Sequence, residues 1–254
     1  MQIEDNNHIS ILLKGKMIKF KDYITEGIQD TGIFKACFMS GSSASGKSYV
    51  IKQIGGGVSP KIVNTDTWTE FHQKLDPKYS WKEYGVKEKH LTKTQLSLYL
   101  NSMLPLWIDG TSSNPSAVLR RAGILKSMGY DVAMIFVDTP VETAIARNKA
   151  RGRVVDEDFL EKSYKESQKL KSYYSTEFRH FTEILNGEGE LTDKVILSAY
   201  KKMNSFFSSP IQNPIGKDLK EKMLADGDKY LIDIKDGSYT KQYINKLVSS
   251  WYRK

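Results

Sequence analysis

Residues 33–48 read IFKACFMSGSSASGKS and carry the strongest structural signal in the chain. Ile33 to Ser40 is an apolar run that predicts a buried strand, and the remainder fits the pattern G-x-x-x-x-G-K-[ST]. The two glycines of this pattern let the backbone curl, so that its N–H groups converge on an anion. A helix predicted from about Gly46 to Ile54 adds the positive end of its dipole at the same place. The stretch therefore predicts a phosphate-binding loop between a strand and a helix.

Every residue of this loop is a candidate for binding nucleotide phosphates: Gly41, Ser42, Ser43, Ala44, Ser45, Gly46, Lys47 and Ser48. Lys47 supplies a mobile positive charge for the β- and γ-phosphates, and the hydroxyl of Ser48 is a ligand type that suits Mg²⁺. The alternative is a glycine-rich turn that binds no ligand. We expect ATP and Mg²⁺ as cofactors.

Strands and helices alternate outward from the loop. Further strands are predicted at Lys61–Asn64, Leu104–Asp109, Asp131–Val137 and Phe181–Leu185, and further helices at Glu88–Ser102, Ser116–Met128, Thr143–Ala150 and Asp156–Thr176. No strand or helix is predicted for the polar, aromatic-rich region at His72–Lys87. Alternation of this kind implies right-handed crossovers and a parallel sheet with both faces covered. The predicted fold class is therefore α/β, with three α/β/α layers and a mostly parallel central sheet.

Both ends of the chain look like additions to this core. We predict an N-terminal extension (1–30) with an amphipathic stretch at Met17–Tyr23, a central domain (31–207), and a small C-terminal α+β extension (208–254). The last begins with SSPIQNPIG, which is typical of a linker because it contains two prolines and two serines. Beyond it we predict a helix at Lys217–Leu224, a strand at Tyr230–Ile234 and a helix at Thr240–Tyr252.

Composition limits the class of protein. The 38 basic and 30 acidic residues give a net charge of +8, which is compatible with phosphate-bearing partners. Cys37 is the only cysteine, so no internal disulfide forms and a reducing, cytoplasmic location is expected. No run approaches the roughly 18 apolar residues of a membrane span, and the first ten residues hold no apolar run typical of a secretory signal. We expect no membrane partner, and nothing in the sequence indicates an oligomeric state.

Two aspartates follow predicted strands, where the carboxyl ends of parallel strands face a ligand crevice. Asp66 lies just beyond the second strand and is a candidate general base that accepts the proton of an attacking hydroxyl. A helix N-cap explains the same residue equally well. Asp109 ends the third strand and is a candidate for the metal or its water shell. Its alternative is the turn that Asp109-Gly110 favours.

A run of arginines follows the fourth strand, in Ala146-Arg147-Asn148-Lys149-Ala150-Arg151-Gly152-Arg153. Arg147 and Arg151 are four residues apart and share one helical face. Guanidinium groups stabilise the charge that spreads over a transferring phosphoryl group. The segment is thus a candidate lid whose Arg147, Arg151 and Arg153 contact the nucleotide, and the alternative is a solvated basic face.

Taken in this order, the loop, Asp66, Asp109-Gly110-Thr111 and the arginine run resemble those of P-loop kinases that include bacteriophage polynucleotide 5′-hydroxyl kinases and zeta-toxin-like kinases. The resemblance covers about residues 33–186. It implies a P-loop kinase fold and phosphoryl transfer from ATP to a hydroxyl. It also implies that Asp66 is the general base, that Arg151 is the lid arginine with Arg147 and Arg153 as neighbours, and that Asp109 is the carboxylate after the third strand.

The resemblance leaves the acceptor open between two classes. A polynucleotide 5′-hydroxyl, hence a nucleic-acid partner, comes first, and a nucleotide-sugar or other small acceptor comes second. Polynucleotide kinases of the group carry an arginine three positions after the base, where this chain has Thr69. The adenine-contacting loop of the family has two candidates here, Asn186–Gly189 after the last core strand and Lys235–Gly237.

The N-terminus carries a second resemblance. Phe20-Lys21-Asp22-Tyr23-Ile24-Thr25-Glu26-Gly27 is similar to the leader of some tailed-phage proteins, in which a head protease cuts after Ile-x-Glu. A plain amphipathic helix explains the same residues. For a phage protein the location would be the host cytoplasm. A third hypothesis is then a nucleotide-binding regulatory or virion-associated protein.

Overall fold

The structure, a computed structural model, describes residues 10–13, 16–19, 30–55, 60–76, 78, 81–150, 155–226 and 241–252. The strands are β1 (Ser10–Leu13), β2 (Lys16–Lys19), β3 (Lys35–Ser40), β4 (Lys61–Val63), β5 (Leu106–Ile108), β6 (Asp131–Asp138) and β7 (His180–Leu185). The helices are α1 (Lys47–Ile54), α2 (Asp66–Leu75), α3 (Trp81–Asn101), α4 (Pro115–Ser127), α5 (Val141–Lys149), α6 (Glu157–Glu177), α7 (Asp193–Ser208), α8 (Pro214–Asp226) and α9 (Lys241–Trp251).

A five-stranded sheet in the order β4-β5-β3-β6-β7 forms the centre of the molecule. All four of its strand pairs are parallel, which confirms the predicted α/β class. The chain order reverses at β3, because β3 lies between β5 and β6. Ligand crevices of open α/β sheets lie at such a switch point, beyond the carboxyl ends of the strands. The loop at 41–48 leaves β3 at this point.

Side chains of β3 alternate between two hydrophobic cores, one on each face of the sheet. Ala36 and Phe38 belong to a core that α3, α4 and α9 cover, whereas Cys37 and Met39 belong to a core that α1 and α7 cover. Burial on both faces explains why this strand is a continuous apolar run rather than an alternating one. The three predicted layers are present.

The C-terminal helices complete the first of these cores. Leu219 and Met223 of α8 and Val248 and Trp251 of α9 are buried among its residues. The ring of Trp251 stacks on Phe38, with centroids 6.3 Å apart. The helices predicted within the C-terminal extension thus share a core with the central sheet. The strand predicted at Tyr230–Ile234 lies outside the described residues.

A buried ion pair fastens the 209–213 connection to the amino end of the sheet. The ammonium of Lys35, which is 1% exposed, lies 2.7 Å from Oδ2 of Asp131 and also donates to Ser209 Oγ and the Pro210 carbonyl, both at 3.2 Å. The Asp131 carboxylate in turn accepts from the backbone N–H groups of Gln212 and Asn213. These bonds hold most of the predicted linker at the amino ends of the strands. The loop at 41–48 leaves from their carboxyl ends.

The observed elements differ from the predicted ones in four places. Residues 66–75 and 193–208 form helices that were not predicted, and α3 begins at Trp81 instead of Glu88. The helix α2 buries only Thr69, although Trp68, Phe71 and Leu75 recur at helical spacing along it. Residues Lys16–Lys19, at the start of the predicted amphipathic stretch, form a strand paired antiparallel with Ser10–Leu13. The leader-like residues 20–27 lie outside the described part of the chain.

Candidate active site

The loop after β3 has a backbone that only glycine tolerates at two points. Gly41 has φ of 138°, and a Cβ there would lie 2.4 Å from the Val137 carbonyl oxygen. Gly46 has φ of 84°, and a Cβ there would lie 2.6 Å from Nδ2 of Asn186. Both contacts are far below van der Waals distance. The two glycines of the motif are therefore required by close approach as well as by backbone conformation.

Three side chains from distant parts of the chain hold the loop by hydrogen bonds to its backbone. The carbonyl of Ser45 accepts hydrogen bonds from Thr139 Oγ1 at 2.9 Å and from Asn186 Nδ2 at 2.7 Å. The N–H of Ser43 donates to Ser163 Oγ on α6 at 2.9 Å. Thr139 and Asn186 directly follow the adjacent strands β6 and β7. The loop is thus fixed in shape by the sheet itself, which preorganises it for an anion.

Lys47 lies across the concave side of the loop. Its ammonium donates to the carbonyls of Gly41 and Ser42, at 3.2 and 2.7 Å, and to Ser45 Oγ at 3.2 Å. The hydroxyl of Ser42 is buried and has no hydrogen-bond partner among the described residues. A buried hydroxyl without a partner is costly, so a ligand oxygen here would remove that cost.

A chain of hydrogen bonds links the loop to the two predicted aspartates. The hydroxyl of Ser48 donates to Oδ2 of Asp109 at 2.9 Å, and the amide of Asn64 donates to the same oxygen at 2.8 Å. The side-chain oxygen of Asn64 accepts from the N–H of Asp66 at 2.8 Å. Side chains that follow β3, β4 and β5 are thereby joined at the carboxyl ends of these strands.

Asp66 is the first residue of α2, and its side chain is exposed. Thr65 occupies the N-cap position and makes no side-chain cap bond, so an N-cap role does not account for Asp66. A carboxylate in the first helical turn is stabilised by the positive end of the helix dipole. The carboxyl group is therefore placed where it stays accessible to a ligand.

A polar cavity of about 150 Å³ brings most of the predicted residues together. Its lining comprises Ser43, Ala44, Gly46, Lys47, Ser48, Asn64, Asp66, Asp109, Gly110 and Thr111. Ser48 and Asp109 present a hydroxyl and a carboxylate side by side, and oxygen ligands of this kind are those that Mg²⁺ takes. Within the described residues there is no group of three or more His, Cys, Asp or Glu that could hold a metal ion. A cation here would be completed by water and phosphate oxygens, which is the usual manner for Mg²⁺.

The loop after β5 is held in an unusual conformation. Ser112 has φ of 54°, which a non-glycine residue rarely adopts. Its hydroxyl donates to the Met39 carbonyl at 2.8 Å, and its carbonyl accepts from the hydroxyl of Tyr174 at 2.5 Å. Burial raises the pKa of the Tyr174 phenol well above its usual value, so this hydroxyl keeps its proton. These bonds hold the segment that carries Asp109 against the end of β3.

A second, larger cavity of about 550 Å³ meets the first at Gly46. Tyr49, Arg147, Asn186, Gly187 and Leu191 are among its lining residues. The predicted adenine-contacting loop at 186–189 thus borders a cavity beside the phosphate loop. Its rival at 235–237 lies outside the described residues.

The arginine run is described in part. Arg147 donates through Nη2 to Oδ1 of Asn186, at 3.3 Å. Asn148 is buried, and its amide exchanges two hydrogen bonds with the backbone of Val155, at 2.6 and 3.0 Å. Arg151 and Arg153 fall between these anchors and lie outside the described residues. Their predicted contacts with the nucleotide stay predictions.

Sequence reasoning predicted no contact with the phosphate loop or Asp109 for four residues that shape the site: Asn64, Thr139, Ser163 and Asn186, the last of which it placed only in a candidate adenine-contacting loop. Each acts through the loop or through Asp109, from a position distant in the chain. Asn64 and Asn186 directly follow β4 and β7. The position of a polar residue at a strand's carboxyl end was the one available signal.

The similarity to a known protein family covers the same part of the chain. A family model described as an AAA domain, AAA_33, matches residues 37–172, which is more than half of the chain. A search of curated proteins finds no match. In the part of the chain that the structure describes, no helix is long and apolar enough to cross a membrane.

Solved structures resemble the fold at low sequence identity. A putative kinase from Chloroflexus aurantiacus J-10-fl is 12% identical, with 68% of this chain and 98% of that chain covered and a TM-score of 0.51. A structure of the PezAT chromosomal toxin–antitoxin system of Streptococcus pneumoniae is 18% identical, covering 80% and 87%, with a TM-score of 0.46. Deoxyadenosine kinase from M. mycoides is 18% identical, covering 67% and 99%, with a TM-score of 0.44. With the sheet order and the loop, the first of these likenesses shows an α/β P-loop kinase fold.

Proposed function

The chain belongs to the AAA-domain family AAA_33, and on that premise we propose that it is an ATP-dependent kinase that transfers the γ-phosphate to a hydroxyl acceptor. One observation carries the proposal. Lys47 of the phosphate loop and Asp66 of α2 line the same cavity, together with Ser48 and Asp109. A kinase needs a cation at the transferring phosphate and a base at the acceptor hydroxyl. This cavity holds a residue suited to each task.

The phosphate loop binds and orients the nucleotide. Its N–H groups and the amino end of α1 attract the phosphates, and the Lys47 ammonium stabilises charge on the transferring group. Ser42 supplies its unpartnered hydroxyl. The larger cavity, with Tyr49 and Leu191 on its walls, accommodates the adenine ring of ATP, and Arg147 lies at its edge.

Asp66 acts on the acceptor. Its carboxylate takes the proton as the acceptor oxygen attacks phosphorus. Ser48 and Asp109 would hold Mg²⁺, which neutralises phosphate charge when it is bound. Arg151 is the proposed lid arginine, with Arg153 beside it, on sequence resemblance alone. Positioning and charge stabilisation then supply most of the rate enhancement, because phosphoryl transfer asks little covalent chemistry of the protein.

Two acceptor classes remain candidates. Sequence resemblance favours a polynucleotide 5′-hydroxyl. One structural observation favours a small acceptor, as in the zeta-toxin-like kinases. Thr69 stands where the polynucleotide kinases of the group carry an arginine, and it is 1% exposed with its hydroxyl bonded to Glu88. A side chain that is buried in this way does not reach an acceptor phosphate.

Transfer of label from γ-labelled ATP tests the proposal. The acceptor panel contains 5′-hydroxyl DNA and RNA oligomers, nucleosides, nucleotides and UDP-sugars. Label on an oligomer, with an affinity that falls steeply with salt because several phosphates are neutralised, supports the polynucleotide class. Label on a small molecule alone supports the second class. ATP binding without transfer to any acceptor contradicts the proposal and favours a regulatory or virion-associated protein.

A further inference from the structure

The helix that carries Asp66 has almost no hydrophobic anchor. All ten residues of α2 are described, and Thr69 alone among them is buried. Phe71 and Leu75, its large apolar residues further along, are 51% and 70% exposed. Most helical stability in proteins comes from packing of an apolar face, but α2 leaves Phe71 and Leu75 largely exposed and buries Trp68 only in part. Something other than apolar burial must fix its position.

A buried glutamate of α3 supplies that anchor. Glu88 is fully buried, and its Oε2 accepts a hydrogen bond of 2.7 Å from Thr69 Oγ1. Its other oxygen, Oε1, lies 3.7 Å from Nδ1 of His72, one turn further along α2. Thr92 donates to the Glu88 carbonyl at 2.9 Å and lies 3.4 Å from Oγ1 of Thr65. Polar groups of α3 thus meet α2 along three successive turns, at Thr65, Thr69 and His72.

We propose that Thr69 and Glu88 form the positioning pair that holds Asp66 at the acceptor side of the cavity. This inference rests on the proposed function, in which Asp66 is the general base. Asp66 precedes Thr69 by three residues, so the two lie on neighbouring positions of one helical face. A shift or tilt of α2 at Thr69 therefore moves the Asp66 carboxylate directly. The phosphate loop lies between β3 and α1 and is held by Thr139, Ser163 and Asn186, which lie on other elements than α2 and α3.

The bond is suited to such a role because it is short, buried and directional. A buried carboxyl group that loses its donor is left with a desolvation cost, which favours the placement of α2 that keeps the bond. Transfer is sensitive to small displacements, since a misplacement of about 1 Å costs roughly 100-fold in rate. Loss of the Thr69 hydroxyl is therefore expected to reduce kcat while ATP binding is retained.

Three variants of the full chain test the pair. Thr69→Val removes the hydroxyl and keeps the shape, and Thr69→Ser restores a hydroxyl. Ser97→Ala is the matched control, because Ser97 also lies on α3 and donates a short bond of 2.6 Å, but to Asn245 of α9, away from α2. The measurements are kcat with the accepted substrate, KM for ATP, and the dissociation constant of ATP. Thr69→Ala replaces Thr69→Val if the latter does not fold.

We expect Thr69→Val to lower kcat by roughly 10- to 100-fold, with KM and the dissociation constant of ATP unchanged. Thr69→Ser and Ser97→Ala should both keep the kcat of the natural chain. A Thr69→Val variant that keeps its kcat, or that loses ATP affinity in parallel, overturns the inference, as does an equal loss of kcat in Ser97→Ala. Asp66→Asn separates the two proposals. If that variant transfers phosphate at the rate of the natural chain, the assignment of Asp66 as the general base fails, whatever Thr69→Val does. A natural chain that transfers phosphate to no acceptor contradicts the kinase itself.

Discussion

The hydroxyl of Ser48, at the start of α1, donates a hydrogen bond of 2.9 Å to Oδ2 of Asp109, 61 residues further along the chain. The parallel sheet makes this bond possible, since β3 and β5 are neighbours and end at the same edge. Asn64 at the end of β4 donates to the same oxygen. The carboxyl ends of three neighbouring strands thus bring Ser48, Asn64 and Asp109 together beside the phosphate loop.

We predict that Asp109→Asn raises the Mg²⁺ concentration needed for half-maximal transfer, by roughly 10- to 100-fold. The carboxylate supplies negative charge next to the Ser48 hydroxyl, and an amide does not. A titration of activity against Mg²⁺ at saturating ATP measures the change. Asp138→Asn is the control, because Asp138 ends β6, which lies on the other side of β3 from β5, and pairs with Lys171 at 2.9 Å. Equal Mg²⁺ requirements in Asp109→Asn and the natural chain would contradict the assignment.

Lys47→Ala should abolish ATP turnover, with a loss of at least about 100-fold. The Lys47 ammonium is held within the loop by three hydrogen bonds, and no alanine contact replaces its charge. Steady-state release or transfer of labelled phosphate measures the loss. Lys52→Ala, an exposed lysine of the same helix, should turn over ATP normally. Normal turnover by Lys47→Ala would remove the phosphate loop from the mechanism.

Lys35→Met is predicted to lower the free energy of unfolding by about 3–5 kcal/mol, because it leaves the largely buried Asp131 carboxylate without its counter-ion. Urea denaturation measures the change. Lys165→Met, which breaks an exposed pair with Glu161 on α6, should cost about 0.3–0.5 kcal/mol. Lys35 lies at the amino end of β3 and the loop lies beyond its carboxyl end, so the ATP affinity of the folded variant should not change. A loss as small as that of Lys165→Met would show that the pair does not fasten the C-terminal segment.

The stability of the fold is predicted to fall between pH 10 and 12. Burial raises the pKa of the Tyr252 phenol from 10.0 to about 12, although the nearby Arg121 charge lowers it in part. Above pH 10 the unfolded chain ionises this group while the folded chain still holds the proton, so rising pH favours unfolding. Urea denaturation across this range should show a smaller loss for Tyr252→Phe than for the natural chain. Identical losses would place the ionisation elsewhere.

Local signals were sufficient for the loop and the layers. Two glycines, Lys47 and Ser48 lie within eight residues, so their motif needs no tertiary information. The buried strands β3 and β6 are continuous apolar runs, and periodicity detects these. The sheet order, by contrast, decides which strand ends meet, and it placed Asp66 and Asp109 in one cavity.

Long-range contacts were beyond the sequence. Asn186 is 141 residues from the Ser45 carbonyl that it binds, and nothing near either residue signals the bond. The helix α2 went unpredicted for a related reason. Its fully buried residue, Thr69, is bonded to Glu88 of another helix, 19 residues away in the chain, and a single polar contact of this kind leaves no periodic signal. The C-terminal helices were predicted as helices, but only the structure shows Trp251 buried against Phe38.

The most direct test of the proposed function compares the natural chain with Asp66→Asn in transfer of labelled γ-phosphate to the accepted substrate, with ATP affinity measured on both proteins. An amide at position 66 keeps the shape of the side chain but does not accept a proton. We predict that transfer is lost while ATP binds with unchanged affinity. Transfer at the rate of the natural chain would contradict the assignment of Asp66 as the general base.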